Sequence, residues 1–390
     1  MRRTSIKALI VSTFVLVTIA FSGCYRKPDL FLYDYEGPEI GLPVVEIELE
    51  TYWDYGSNLG IDYDWRAEWF YGWDDEDRRL FGDLGYTEPD KFLIRRYYTG
   101  SEPLGKRLYR LIDYQEGKRY RRDYDLGYWD LLVWNQVQTL DGVQSLRTNE
   151  SQTDIDKEIT VTTGPTINSV RYHVPRYQTS FYEPEQLFSA LDHFEISPEL
   201  SDFYYSKEEG LWLRKILLEP ITYIYLPQVI LHNNRGRISQ VPGTANLSGM
   251  ANSTSINTGI TGMDAVAVNF SMRLKNEKTF KGGEIVDIVG GRLMTFGICG
   301  QNANRISRAD DMEEMDPQHH YLDVNMQFYN GMDSTFVFDV TDQVRAHFKG
   351  GVITVELDID TVPIPQRPGG SGFDAVVKDF EDAGTWEFNM

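Results

Sequence analysis

An alternation of period two recurs along this chain more insistently than any other pattern, and it restricts the fold to sheets. In PVVEIELETYW, Val45, Ile47, Leu49, Thr51 and Trp53 fall on one side, with Glu46, Glu48 and Glu50 on the other. DAVAVNFSMRL repeats the pattern with Val266, Val268, Phe270, Met272 and Leu274, and YLDVNMQFY with Leu322, Val324, Met326 and Phe328. Successive side chains of a strand point to opposite faces, so each segment can bury one face and wet the other. KFLIRRYY, RLYRLIDY, YWDLLVWN, EITVTT, SVRYHV, TYIYLPQVILH, GRLMTFGI, STFVFDV and VITVELDID are further strand candidates. Turn-formers such as GDLGY, NNRGR, FKGG and YNGMD separate most of them.

Helical signals are few. Pro184 to Phe188 suits a first turn, and TDQVRAHF has Thr341 or Asp342 as cap and Gly350-Gly351 as stop. Many strands without βαβ alternation predict an all-β fold of antiparallel sandwiches. No fixed-period repeat points to a propeller or solenoid. A chain of 390 residues, 41% hydrophobic, has material for about two cores. The least hydrophobic mid-chain stretch, SPELSDFYYSKEEG (197–210), sets a boundary near Gly210 and predicts β-domains over 44–210 and 211–390. LHNNRGRISQVPGTANLSGMANS reads as a turn and long loop, and the C-terminal FDAVVKDFEDAGTWEFNM, with Phe373, Ala375 and Val377 and then Trp386 and Phe388 alternating, fits a last strand of this chain or one donated to a neighbour.

Residues 1–23 read as a secretory signal peptide, with Arg2, Arg3 and Lys7 before an apolar run from Ala8 to Phe21 and small residues at Ser22 and Gly23. The run is shorter than the roughly 20 residues of a spanning helix. Phe21-Ser22-Gly23 before Cys24 resembles a bacterial lipoprotein box, so Cys24 is expected to carry a diacylglyceryl group, with 24–43 as a lipid-anchored tether. Two acyl chains suffice for stable anchoring. Loss of three positive and no negative residues with the signal takes the formal charge from −21 to −24. That acidity excludes nucleic acid as a partner and docking on an anionic membrane through side chains. With Cys24 modified, Cys299 has no disulfide partner and is expected to be a buried small residue.

No GxSxG, P-loop, HExxH or paired CxxC is present. His319, His320 and Asp323 carry zinc-type donors, but adjacent histidines on a strand point to opposite faces. The acidic run DDMEEMDPQ lacks the alternating spacing of a calcium loop. The expectation is no catalytic residue, no metal and no cofactor. The densest anomaly is aromatic: Trp53, Tyr55, Tyr63, Trp65, Trp69, Phe70, Tyr71, Trp73 and Phe81, interleaved with carboxylates in DYDWRAEWFYGWDDED. One reading is core and interdomain packing. The other is a glycan or partner site in which Trp65, Trp69 and Trp73 stack on sugar rings, and it requires at least two exposed, coplanar rings.

The lipoprotein box, WDLLVWNQVQTLDGV, TYIYLPQVILHNNRGRI, ANLSGMANS and VDIVGGRLMTFGICG together resemble fimbrillin-like surface lipoproteins of Bacteroidetes, over nearly the whole mature chain. The resemblance implies two tandem transthyretin-like β-sandwich domains with one or two short helices. It also implies an outer-membrane, cell-surface location and non-catalytic work as a pilus (fimbrial) anchor or accessory subunit, or an adhesion lipoprotein. Partners would be pilin-like proteins, or host surfaces and glycans. Stalk subunits of this class lose an N-terminal strand to an Arg-specific protease. Here Arg26 is followed by no arginine until Arg66, which favours a retained lipid and an anchor. Asp333-Ser334-Thr335 and Asp360-Thr361-Val362 resemble the O-glycosylation motif of the same phylum, with Ser334 and Thr361 as acceptors.

Overall fold

The alternation in VEIELET is realised as strand β1 (Val45–Thr51), in which Val45, Ile47 and Leu49 are buried. The intervening glutamates face cations, Glu46 meeting Arg119 at 2.8 Å and Glu50 meeting Lys215 at 2.7 Å. The computed structural model describes residues 45–53, 64–136, 147–149, 160–162, 180–242, 244–300, 318–365 and 385–388; Cys24 and the expected signal and tether lie outside them, as does SVRYHV.

With strands numbered in chain order, the first sheet adds β2 (Lys91–Gly100), β3 (Tyr109–Glu116), β4 (Arg119–Arg121), β5 (Gly127–Asn135), β9 (Phe188–Ile196), β10 (Tyr204–Ser206) and β11 (Leu211–Pro220). Its order is β3-β2-β5-β9-β11-β1-β4, with β10 on β11. β3 and β4 are neighbours in sequence but stand at opposite ends of that order. The sheet therefore curls, and Tyr120 of β4 donates its hydroxyl to Asp113 of β3 at 2.6 Å. Ile47, Phe92, Trp129, Leu131, Phe194 and Ile216 fill the enclosed core.

A small sheet joins β6 (Arg147–Asn149), β7 (Thr160–Thr162) and β15 (Ser253–Ser255). The second large sheet comprises β8 (Ser180–Phe181), β12 (Tyr223–His232), β13 (Ile238–Gln240), β14 (Thr244–Ala251), β16 (Ala265–Thr279), β17 (Ile285–Gly291), β18 (Leu293–Thr295), β19 (Tyr321–Phe328), β20 (Asp333–Asp339), β21 (Gly351–Asp358) and β22 (Thr385–Phe388). Its main path is β18-β12-β17-β16-β14-β19-β20-β22. Val229 and Val355 at one end share a core with Met326, Phe328 and Phe336 near the other, so this sheet also wraps on itself. β22 runs parallel to β20 within the same chain. Among the described residues helices are short: α1 (Trp65–Glu68), α2 (Asp75–Phe81) and α3 (Thr341–Ala346).

Three expectations need correction. Pro184 to Leu187 is not helical; the segment runs into β9, where Phe188 belongs in the core. The expected loop after Leu231 contains β13, β14 and β15. Its glycine content misled, because Gly249 sits at φ +81° on a β-bulge where a Cβ would lie 2.5 Å from the His319 carbonyl. Gly210 closes the β10–β11 turn, and β11 still pairs with β1 and β9. The chain changes sheet at 221–222, beyond the expected boundary, because β1 holds β11 from Trp212 to Leu218 and β9 holds Glu219 and Pro220.

Candidate functional site

The aromatic, acidic segment proves to be a strap. It leaves the first sheet after β1 and lies across the face of β12, β17, β18 and β21 that is turned away from the second sheet's own core. Trp65, Trp69 and Tyr71 are buried there with Ile224, Leu226, Ile230, Ile288 and Val352. Gln228, fully buried on β12, accepts the N–H groups of Phe70 (3.0 Å) and Tyr71 (3.1 Å) and donates to the Glu68 carbonyl (2.6 Å) and Thr354 Oγ1 (2.9 Å). Helix α2 starts with a reciprocal capping box between Asp74 and Asp77. The cap also turns the Asp77 carboxylate inward, where it meets Tyr71 hydroxyl and Arg273 Nη1, each at 2.8 Å, and Lys275 Nζ. Burial, reinforced by the Asp77 hydrogen bond and charge, pushes the Tyr71 hydroxyl well above the usual tyrosine range. Every charge in this cluster has an opposite partner, which makes it a clamp rather than a reactive site.

This placement corrects the stacking-platform reading. Trp65 and Trp69 are each 8% exposed, and Trp73 is half-buried with its indole N–H donated to the Gly82 carbonyl at 3.2 Å. Fewer than two of the three rings face solvent, and Asp74 and Asp77, which follow Trp73, serve the α2 cap and the clamp. His319 and His320 diverge as the strand geometry requires. His320 is buried with Nδ1 3.2 Å from the Ser248 carbonyl, while His319 is exposed and stacked on Tyr321. No cluster of three metal-ligating His, Cys, Asp or Glu side chains occurs among the described residues. Cys299 is fully buried, its thiol 3.8 Å from the Gly249 carbonyl oxygen. Ser334 is fully buried on β20, out of reach of a modifying enzyme in the folded chain, whereas Thr361 is exposed and donates to the Asp358 carbonyl at 2.7 Å.

Two places escaped the sequence reading. A cleft of about 600 Å3 opens between the end of α2, the start of β2 and β18, lined among others by Asp83, Glu88, Asp90, Glu183, Glu185 and Arg292. Burial pushes the Glu183 carboxyl up to about 7, although the residue keeps partial exposure; the Arg292 charge and the Met294 N–H at 2.9 Å pull it partly back. Elsewhere, Asp130 on β5 joins His193 Nδ1 (2.7 Å) to Arg107 Nε (3.1 Å). That bond raises the His193 pKa above the usual histidine value. Among the described residues no hydroxyl or thiol hydrogen-bonds to the second ring nitrogen.

The other place is the outer edge of β3. It terminates the first sheet, and no described strand pairs with it. Leu111 (39% exposed), Ile112 (45%) and Tyr114 (66%) stand on it, with Leu104, Leu108 and Leu126 exposed close by in sequence. A long apolar edge of this kind offers backbone groups and side chains together to a partner.

No family profile matches the chain, and no curated protein matches it. Solved structures similar to it are adhesion-type and fimbrial proteins of Bacteroidetes. They include a proposed adhesin from Bacteroides ovatus ATCC 8483 (13% identity, TM-score 0.44, covering 84% of this chain and 95% of the other). A proposed adhesin from Bacteroides thetaiotaomicron matches at 10% identity and TM-score 0.45, over 83% and 94% of the two chains. The fimbrial anchor protein Mfa2 from Porphyromonas gingivalis matches at 9% identity and TM-score 0.34, over 80% and 90%.

Proposed function

We propose that this chain is a non-catalytic lipoprotein of the outer membrane, anchored through Cys24 and exposed at the cell surface. It works there as a fimbrial anchor or accessory subunit or as an adhesion protein, and its two curled sheets are tandem transthyretin-like sandwiches. The edge of β3 carries this reading: no described strand pairs with it, and its exposed Ile112 and Tyr114 present what a protein partner uses in strand addition.

The test is mass spectrometry of the mature N-terminus from native membranes, combined with protease shaving of intact cells. An acylated Cys24 on a shaveable protein is the expected result. A mature chain beginning after Arg66 would sink the anchor reading, since β1 would be lost from between β11 and β4 and the first core opened. Unmodified Cys24 would remove the lipid as well.

A further inference from the structure

The chain enters the first sheet at Val45, which pairs with Trp212, while Glu46 pairs with Arg121. Register then fixes what else stands at that end of the sheet. Gly127 opens β5 opposite Ile196, the last residue of β9, and Gly100 closes β2 opposite Tyr128. Tyr109 opens β3 opposite Tyr98. The β2–β3 loop (101–108) and the β4–β5 loop (122–126) therefore lie at the end where the chain enters. Tyr98 ties the two loops together: its carbonyl accepts the Leu108 N–H at 2.7 Å, and its hydroxyl donates to the Leu126 carbonyl at 2.8 Å.

These loops hold three leucines in water, Leu104 at 73% exposure, Leu108 at 61% and Leu126 at 49%. Leu104 also sits at φ +54°, a left-handed conformation that a bulky side chain disfavours and glycine takes freely. An outlier of this kind points to a role for the side chain that is kept there. We propose that this end of the first sheet rests on the lipid bilayer, with Leu104, Leu108 and Leu126 dipping into its apolar boundary. The inference rests on the anchor reading. Only 20 residues separate Cys24 from Val45, and they deliver this end to the membrane rather than the opposite one at Gly117. Charge fits a neutral headgroup layer. Exposed Lys106, Arg121 and Arg122 are matched here by Glu102, Asp123 and Asp125, in a chain whose net charge of −21 opposes docking on anionic lipid. Leucine is scarce among the anchors of protein interfaces, whereas it enters lipid without a directed partner.

The mature chain, residues 24–390 with Cys24→Ser, tests this when a hexahistidine tag ahead of residue 24 holds it on phosphatidylcholine vesicles through nickel-chelating lipid. The tag replaces the acyl group, so failure of acylation is read separately, from the native N-terminus. An environment-sensitive fluorophore is attached at Lys106→Cys, and in a second preparation at Glu116→Cys, at the opposite end. Lipid bearing a nitroxide on its acyl chain is expected to quench the first about twofold and to leave the second unchanged, at low and high salt alike. Leu108→Ser with Leu126→Ser is expected to abolish the difference. Leu104→Gly is expected to weaken it while keeping or raising the melting temperature, which a merely structural role for Leu104 would not produce. Equal quenching at the two positions overturns the proposal, as does quenching indifferent to the leucine substitutions. Emission at position 106 that shifts with protein concentration without vesicles would assign the patch to a second copy, and overturns it as well.

Discussion

Gln228 shows how a single buried amide can set a tertiary contact. Its four hydrogen-bond partners lie 126 to 160 residues away in sequence. Gln228→Leu would leave two N–H groups and a carbonyl of the strap unsatisfied, at a cost of about 2–4 kcal/mol. Urea unfolding should show this as a lowered midpoint at constant slope. Asp77→Ala should cost about 3 kcal/mol, because the buried Lys275 would keep only Asp74 at 3.0 Å and the buried Tyr71 hydroxyl would lose its acceptor. Glu183 gives a pH signature. Its folded pKa is raised, so its contribution is full below about pH 4.5 and is lost as pH rises through about 7. Glu183→Gln should flatten that part of the stability–pH curve and stabilise the chain above pH 7 by on the order of 2 kcal/mol. None of these residues was legible in the sequence as a contact. A glutamine or an aspartate carries no local sign of a partner on another sheet.

At the scale of the element, legibility followed periodicity. β1, β2, β5, β12, β19, β20 and β21 stand where alternation or continuous apolar runs put strands, and α3 where its cap and glycine stop put a helix. β14 was hidden because its face alternates between core residues such as Leu247 and buried polar ones such as Asn246, with a bulge interrupting the period. The strap was half legible. Its composition predicted either packing or a sugar platform, and the choice depended on a surface contributed by β12, β17 and β21. Gly290 on β17 makes the seat: a Cβ there would lie 2.4 Å from Tyr71 Cγ. Gly290→Ala should therefore lift the strap and cost about 1–3 kcal/mol. The exposure of Trp65 and Trp69 to acrylamide quenching should rise with it. Unchanged quenching would mean that the strap does not depend on this seat.

Across the whole molecule, the strap adds a second tie between two sheets that already share a buried cluster, in which Tyr97, Leu132 and Trp134 of the first meet Ile221, Ala251 and Phe296. It begins where β1 leaves the first sheet and ends where β2 enters it, yet its buried rings belong to the second. Tyr86, at its exit, donates its hydroxyl to the Thr222 carbonyl at the crossing between sheets and packs against Trp53 and Phe188. Arg292 beside β18 donates to the Leu84 carbonyl at 3.1 Å. A chain of this length with two cores would by default unfold in steps. The strap and this cluster together predict one transition instead, with tryptophan fluorescence and far-ultraviolet dichroism superimposing in urea. Lifting the strap by Gly290→Val should separate the curves, fluorescence changing first, because Trp65 and Trp69 lie between strap and sheet while Trp129 stays within the first sheet's own core. Two resolved transitions in the unaltered chain would show that neither the strap nor the shared cluster makes the sheets unfold together. The strap would then be a cover for an apolar face rather than the coupling between the sheets.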